Sequence, residues 1–153
     1  MIVREAKPED AEAFVRAHEV SWDASIGEIV GARLGELAPF ESRVENFRAG
    51  VKAAAEDADG WVAEDGGEIV GIATRVGNEL RDLYVIPSAW GTGVATELMA
   101  TALEGVAGEA VLWVGEDNAR ARRFYEREGW AADGEIRASA LGPTELRYRR
   151  TLA

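Results

Sequence analysis

The chain opens with strand-like sequence, and Ile2-Val3-Arg4 predicts a short first strand. The period then changes. Ala11, Phe14, Val15 and His18 recur at helical spacing behind Pro8-Glu9-Asp10, which predicts a helix running to about Val20. Proline suits the first turn, and acids there complement the helix dipole. Between Ser21 and Phe40, Trp22, Ile26, Ile29, Val30, Leu34 and Leu37 are interrupted by Gly27, Gly31, Gly35 and Pro39. That mixture predicts short helical pieces and loops. Val44, Phe47 and Val51 form the apolar stripe of a helix expected over Glu41 to Glu56.

The period of two returns in Trp61 to Glu64 and Ile69 to Val76, which flank Asp65-Gly66-Gly67, a strong hairpin signal. Gly77-Asn78 predicts a second turn, and Leu80 to Ile86 a further strand before Pro87. Next come an expected helix from Gly91 to about Val106, a strand over Ala110 to Val114, and a helix from Asn118 to Glu128 stopped by Gly129. Two last strands are expected near Trp130 to Ala140 and Thr144 to Leu152, around Gly142-Pro143. With no repeat or linker, residues 1–153 read as a single domain.

Composition narrows the chemistry. There is no cysteine, which removes disulfides, thiol catalysis and cysteine zinc sites, and a single histidine, His18, makes a histidine metal cluster or serine–histidine triad hard to build. No metal site is expected, and His18 reads as an incidental residue of the first helix. Acid–base work then falls to carboxylates, tyrosine, water or the substrate. A net charge of -11 argues against nucleic acid as a partner and favours an amine-bearing or cationic one, unless it only serves solubility. No apolar run approaches the length of a membrane span, and the first residues lack a signal-peptide core. The expected location is the cytoplasm, with no membrane partner.

The sharpest local signal is Leu83-Tyr84-Val85-Ile86-Pro87-Ser88-Ala89-Trp90-Gly91-Thr92-Gly93-Val94-Ala95-Thr96, a strand and glycine loop opening a helix. Small residues at 91, 93 and 95 leave backbone amides free to face an anion at the positive end of a helix dipole. A P-loop would need Gly-Lys-Ser/Thr, which is missing, and a dinucleotide fingerprint would need glycine where Thr96 stands. About twenty residues on, Asn118 opens a helix on which Ala121 and Tyr125 share its face, the small residue leaving room for a ligand.

Together these segments resemble the GNAT superfamily of acetyltransferases. The family's signature, Gln/Arg-x-x-Gly-x-Gly/Ala, maps onto Trp90, Gly93 and Ala95, and its following strand and helix onto Asn118, Phe124-Tyr125 and Gly129-Trp130. Gly71, Glu79-Leu80 and Ser21-Trp22 are also similar to it. The departure is Trp90, where the family usually carries Gln or Arg that helps hold a pyrophosphate.

The resemblance implies a three-layer α/β (α+β) fold. Its mixed, mostly antiparallel sheet would have about seven strands with a splayed parallel pair, flanked by about four helices. It implies acetyl-CoA as acetyl donor and a small-molecule or peptide amine as acceptor, joined by direct attack in a ternary complex. Leu83, Tyr84 and Val85 would contact the pantetheine arm, Trp90, Gly91, Thr92, Gly93, Val94, Ala95 and Thr96 the phosphates, and Asn118, Ala121 and Tyr125 the remainder of the cofactor. Tyr125 would protonate the departing thiolate. Glu79, with Asp82 or Tyr84 as competitors, would serve the acceptor amine as base, and Trp22 would wall the acceptor pocket. By strand alternation Glu79 is expected to share a face with Arg81, Leu83 and Val85. Arg120, Arg122 and Arg123 are candidates for the CoA phosphates or a solvated helix face. A homodimer is expected, and a catalytically silent acetyl-CoA-binding module is the alternative function.

Overall fold

The computed structural model describes residues 1–52, 59–139 and 143–152. Contacts group the chain into two compact units, Met1–Glu104 and Gly105–Ala153. The fold class is the expected one, mixed α/β with a seven-strand, mostly antiparallel sheet and one parallel pair.

In the first unit, β1 (Ile2–Glu5), β2 (Asp59–Asp65), β3 (Glu68–Val76) and β4 (Glu79–Val85) pair successively and antiparallel. Gly66 and Gly67 both take positive φ, 60° and 82°, as a two-residue hairpin turn between right-twisted strands demands. A 3-10 turn at Pro8–Asp10 leads into α1 (Ala11–Ala24), one turn longer than the spacing predicts. The stretch up to Phe40 breaks into α2 (Ile26–Val30) and α3 (Leu34–Leu37), because Gly31 ends α2 in the left-handed region at φ 71° and Pro39 follows α3. These two short pieces bring the α-helices among the described residues to six, against the four the resemblance implied.

Helix α4 (Phe40–Lys52) follows; residues 53–56 of the expected helix and the Val51 side chain lie outside the described residues. Phe14 and Ala17 of α1 bury against Val62 and Ile72, and Ala11 and Val15 against Val44 of α4. On the other side of β3, Leu98 of α5 (Val94–Ala102) comes so close to Gly71 that a Cβ there would lie 2.7 Å from Leu98 Cδ1. Helix α5 is shorter than the predicted span from Gly91. Gly91 and Gly93 take φ 75° and 88°, so the helix can start only after them.

In the second unit, β5 (Glu109–Gly115), β7 (Thr144–Thr151) and β6 (Ala131–Ala138) form an antiparallel group in the order β5-β7-β6. Helix α6 (Ala119–Arg127) follows β5 and stops before Gly129 at φ 92°. Gly142 of the expected last turn lies outside the described residues. Tyr148 is nearly fully buried, and its hydroxyl accepts from Arg122 Nε at 3.0 Å and donates to Glu126 Oε2 at 2.7 Å.

Candidate functional site

Strand β4 carries the first group of candidate residues, and its register corrects the sequence reading. Asp82 stands opposite Thr74 while Leu80 stands opposite Arg75, leaving Arg81 as an extra, unpaired residue, a β-bulge. The inserted residue resets the alternation. Glu79 therefore shares a face with Asp82 and Tyr84, not with Leu83 and Val85. The face shared by Glu79, Asp82 and Tyr84 looks toward α1, since Ile72, the cross-strand partner of Tyr84, packs with Phe14 and Ala17. Leu80, Leu83 and Val85 lie on the α5 side with Gly71 and Ala73. A bulge inside an alternating pattern leaves no mark in residue type, so the sequence could not reveal it.

The Glu79 face is polar. Thr74 Oγ1 donates to Asp82 Oδ2 at 2.6 Å. Exposed Arg81 donates through Nε to Oε2 of half-buried Glu79 at 3.3 Å. The His18 ring lies 4.9 Å from the Tyr84 ring. Burial pulls the His18 pKa below its ordinary value, and Arg43 acts in the same direction, while the Asp82 and Glu19 carboxylates oppose them. The imidazole is therefore neutral at pH 7. The sequence reads His18 as an incidental residue, since its helical spacing signals only that it faces inward. Trp22 is 5% exposed, and its ring edge would meet a Cβ on Gly27 at 3.4 Å.

The glycine loop is built as its sequence suggests. A side chain at Gly91 or Gly93 would meet nothing within 4 Å, so only the positive φ demands glycine and the space outside the backbone stays open. Gly93 is the N-cap of α5, and its carbonyl accepts from Glu97 N at 3.1 Å. Thr92 Oγ1 donates to the Ala89 carbonyl, which ties the loop to the turn before it. Trp90 is exposed, and its indole Nε1 donates to the Val85 carbonyl at 2.8 Å. The tryptophan thus fastens the loop to the end of β4, a role its sequence position did not announce. Val94 is buried, Ala95 half-buried and Thr96 exposed.

In the second unit, Asn118 caps α6, its side chain accepting from Ala121 N at 3.2 Å. Ala121 and Tyr125 are half-buried, and the Tyr125 ring meets Phe124 and Trp130 edge-on at 5.3 and 6.1 Å. Of the three arginines offered to phosphates, Arg122 is committed to Tyr148 and to the Glu116 carbonyl. The Tyr148 hydrogen bond raises its pKa, while burial lowers that of Arg120. Arg123 is exposed. Among the described residues no group of three or more His, Cys, Asp or Glu is placed to hold a metal ion, and no helix is long and apolar enough to cross a membrane.

Residues 12–130 match the acetyltransferase (GNAT) family. The chain is 34% identical over 143 residues to an uncharacterized N-acetyltransferase of Archaeoglobus fulgidus, covering 82% of this chain and 89% of that one. It is 27% identical over 143 residues to a probable N-acetyltransferase of Mycobacterium tuberculosis, covering 86% and 80%. In fold it is similar to the PaiA N-acetyltransferase of Thermoplasma acidophilum, crystallised with coenzyme A, at a TM-score of 0.77 and 18% identity over 99% of this chain and 98% of that one. It is also similar to YjaB of Escherichia coli, at 0.72 and 23% over the full length of both. The chain belongs to the GNAT acetyltransferase family.

Proposed function

We propose that this protein is an N-acetyltransferase, a single GNAT domain that moves the acetyl group of acetyl-CoA to a primary amine by direct attack in a ternary complex. The observation that carries this reading is the loop from Trp90 to Thr96. Two left-handed glycines open onto free space at the start of α5, which suits the close approach of a pyrophosphate to backbone amides. The coenzyme A held by the Thermoplasma relative supports the same donor. Leu83, Tyr84 and Val85 supply backbone groups for the pantetheine arm, Gly91 to Thr96 the phosphate contacts, and Asn118 and Ala121 further cofactor contacts.

The side chain at 90 does not act as the family's Gln or Arg does. Trp90 instead holds the loop against Val85 through its indole N–H. Tyr125 protonates the thiolate as it departs. Glu79 lies beside Asp82 and Tyr84 on the acceptor side, and Trp22 shapes that side from within the core. The acceptor is a small-molecule or peptide amine in the cytoplasm, and the active species is a homodimer.

A thermal-shift titration with acetyl-CoA, CoA and NADH in parallel tests the reading. A ligand at about 100 times its Kd adds about 2.7 kcal/mol of stability. Both CoA species are expected to raise Tm and NADH to leave it unchanged. No rise with acetyl-CoA would defeat the proposal, and a rise without CoA release in the presence of any primary amine would favour a silent binding module.

A further inference from the structure

The acetyltransferase reading leaves open which group takes the proton of the acceptor, and the bulge at Arg81 narrows the choice. It gathers Glu79, Asp82 and Tyr84 on the side of β4 that faces α1, where His18 also stands. An amine with an ordinary pKa reaches the enzyme as ammonium and cannot attack until it loses a proton. Glu79 is engaged by Arg81 at 3.3 Å. An imidazole kept neutral at pH 7 is better matched. Among the described residues no hydrogen bond occupies its ring nitrogens, and its nearest ring neighbour is Tyr84. Asp82, fixed by Thr74 at 2.6 Å, supplies a negative charge that both attracts an ammonium and stabilises the imidazolium formed from it.

We propose that His18, with Asp82 and Tyr84 beside it, is the proton acceptor for the substrate amine, an inference that rests on the acetyltransferase reading. The ammonium N–H bond breaks and its proton passes to an imidazole nitrogen. The freed lone pair forms the C–N bond as the thioester C–S bond breaks. Tyr125 protonates the departing thiolate to the thiol and recovers its proton from the second N–H, and the imidazolium returns its proton to solvent. The charged and titratable groups facing His18 are Asp82 and Tyr84 from β4, Glu19 from its own helix and Arg43 from α4. Burial, aided by Arg43, sets its pKa below the ordinary 6.5 against the opposing pull of Asp82 and Glu19. Turnover should therefore rise with pH through a limb below that value and stay flat above it.

His18 is the only histidine, so its ring signals in NMR are unambiguous and give its pKa directly. We would titrate it in the wild type and in Asp82→Asn, then measure kcat/KM against pH with acetyl-CoA and n-butylamine, lysine or a short peptide, taking the best acceptor. The expected results are a kcat/KM limb at the NMR pKa and a lower pKa in Asp82→Asn. His18→Gln should lose about 10-fold or more and the limb with it, with acetyl-CoA affinity unchanged. Circular dichroism of His18→Gln and His18→Asn identifies whichever variant remains folded for this comparison. A folded variant that keeps wild-type turnover and limb overturns the assignment of His18 alone. A wild type that binds acetyl-CoA but acetylates no primary amine overturns the transferase reading, and this assignment with it.

Discussion

At the scale of single residues, the consequences differ between groups that hold the chain together and groups proposed to react. Asp10 is 9% exposed, and both its oxygens are used: Arg4 donates to them at 2.8 and 2.9 Å, and the Lys7 amide donates at 2.7 Å. These bonds join β1 to the start of α1. The Arg4 guanidinium holds the Asp10 carboxyl below the usual carboxylate pKa. The unfolded chain then binds a proton at a pH where the native chain does not. The stabilisation is therefore complete above about pH 4 and is lost as pH falls through the lowered native value. Asp10→Asn should cost about 1 to 3 kcal/mol near neutral pH, because hydrogen bonds to a charged group are lost. Urea unfolding checks it, as a lower midpoint at unchanged slope, with a smaller loss of stability on acidification than in the wild type. Tyr125 is a different case, packed edge-on between Phe124 and Trp130. Tyr125→Phe keeps those ring contacts and removes the hydroxyl. It should slow turnover by about 10-fold or more if that hydroxyl protonates the thiolate. Steady-state rates and a melting curve on the same preparation separate a loss of turnover from a loss of stability.

At the scale of elements, Gly71 shows how a strand sets the position of the loop that the proposed chemistry needs. Its missing Cβ admits Leu98 of α5, which is fully buried and has no room to retreat. Gly71→Ala would put that Cβ 2.7 Å from Leu98 Cδ1 and 3.1 Å from Val94 Cγ1. It should cost about 1 to 3 kcal/mol through overpacking. Because Val94 is the first residue of α5, the same substitution should weaken acetyl-CoA binding, which calorimetry would register as a higher Kd. The elements themselves were largely legible. Hairpin glycines, the proline-led first helix and the Gly129 stop all act through backbone conformations that residue type dictates. The glycine loop and the Asn118 cap were legible for the same reason. The bulge at Arg81 was not, because any residue can be the extra one, and with it went the correct face for Glu79. The bond from Trp90 to the Val85 carbonyl also escaped, since it depends on how the loop folds back onto the strand it has just left.

At the scale of the whole molecule, the dominant quantity is the net charge of -11. Folding brings like charges closer than they stand in the unfolded chain, so the native state carries an unfavourable self-repulsion. Opposing it are arginine–carboxylate pairs such as Arg137–Glu145 at 2.8 Å and Arg147–Asp133 at 2.6 Å. Such pairs near the surface contribute little each, about 0 to 1 kcal/mol, and salt weakens them too. The long-range term should prevail, because the uncompensated charges all carry one sign and interact over a screening length of about 30 Å at 0.01 M salt. At about 0.15 M that length falls to about 8 Å, and most of the repulsion is removed. Raising sodium chloride across this range should therefore raise Tm by about 2 to 4 °C, the shift that roughly 1 kcal/mol produces in a chain of this size. The same field attracts a cationic acceptor, so KM for an amine should rise as salt is added while acetyl-CoA, an anion, binds no worse for it. Differential scanning calorimetry and paired KM determinations over one salt series check both. A Tm that falls with salt would mean that the arginine pairs, and not the net charge, govern the electrostatics of folding.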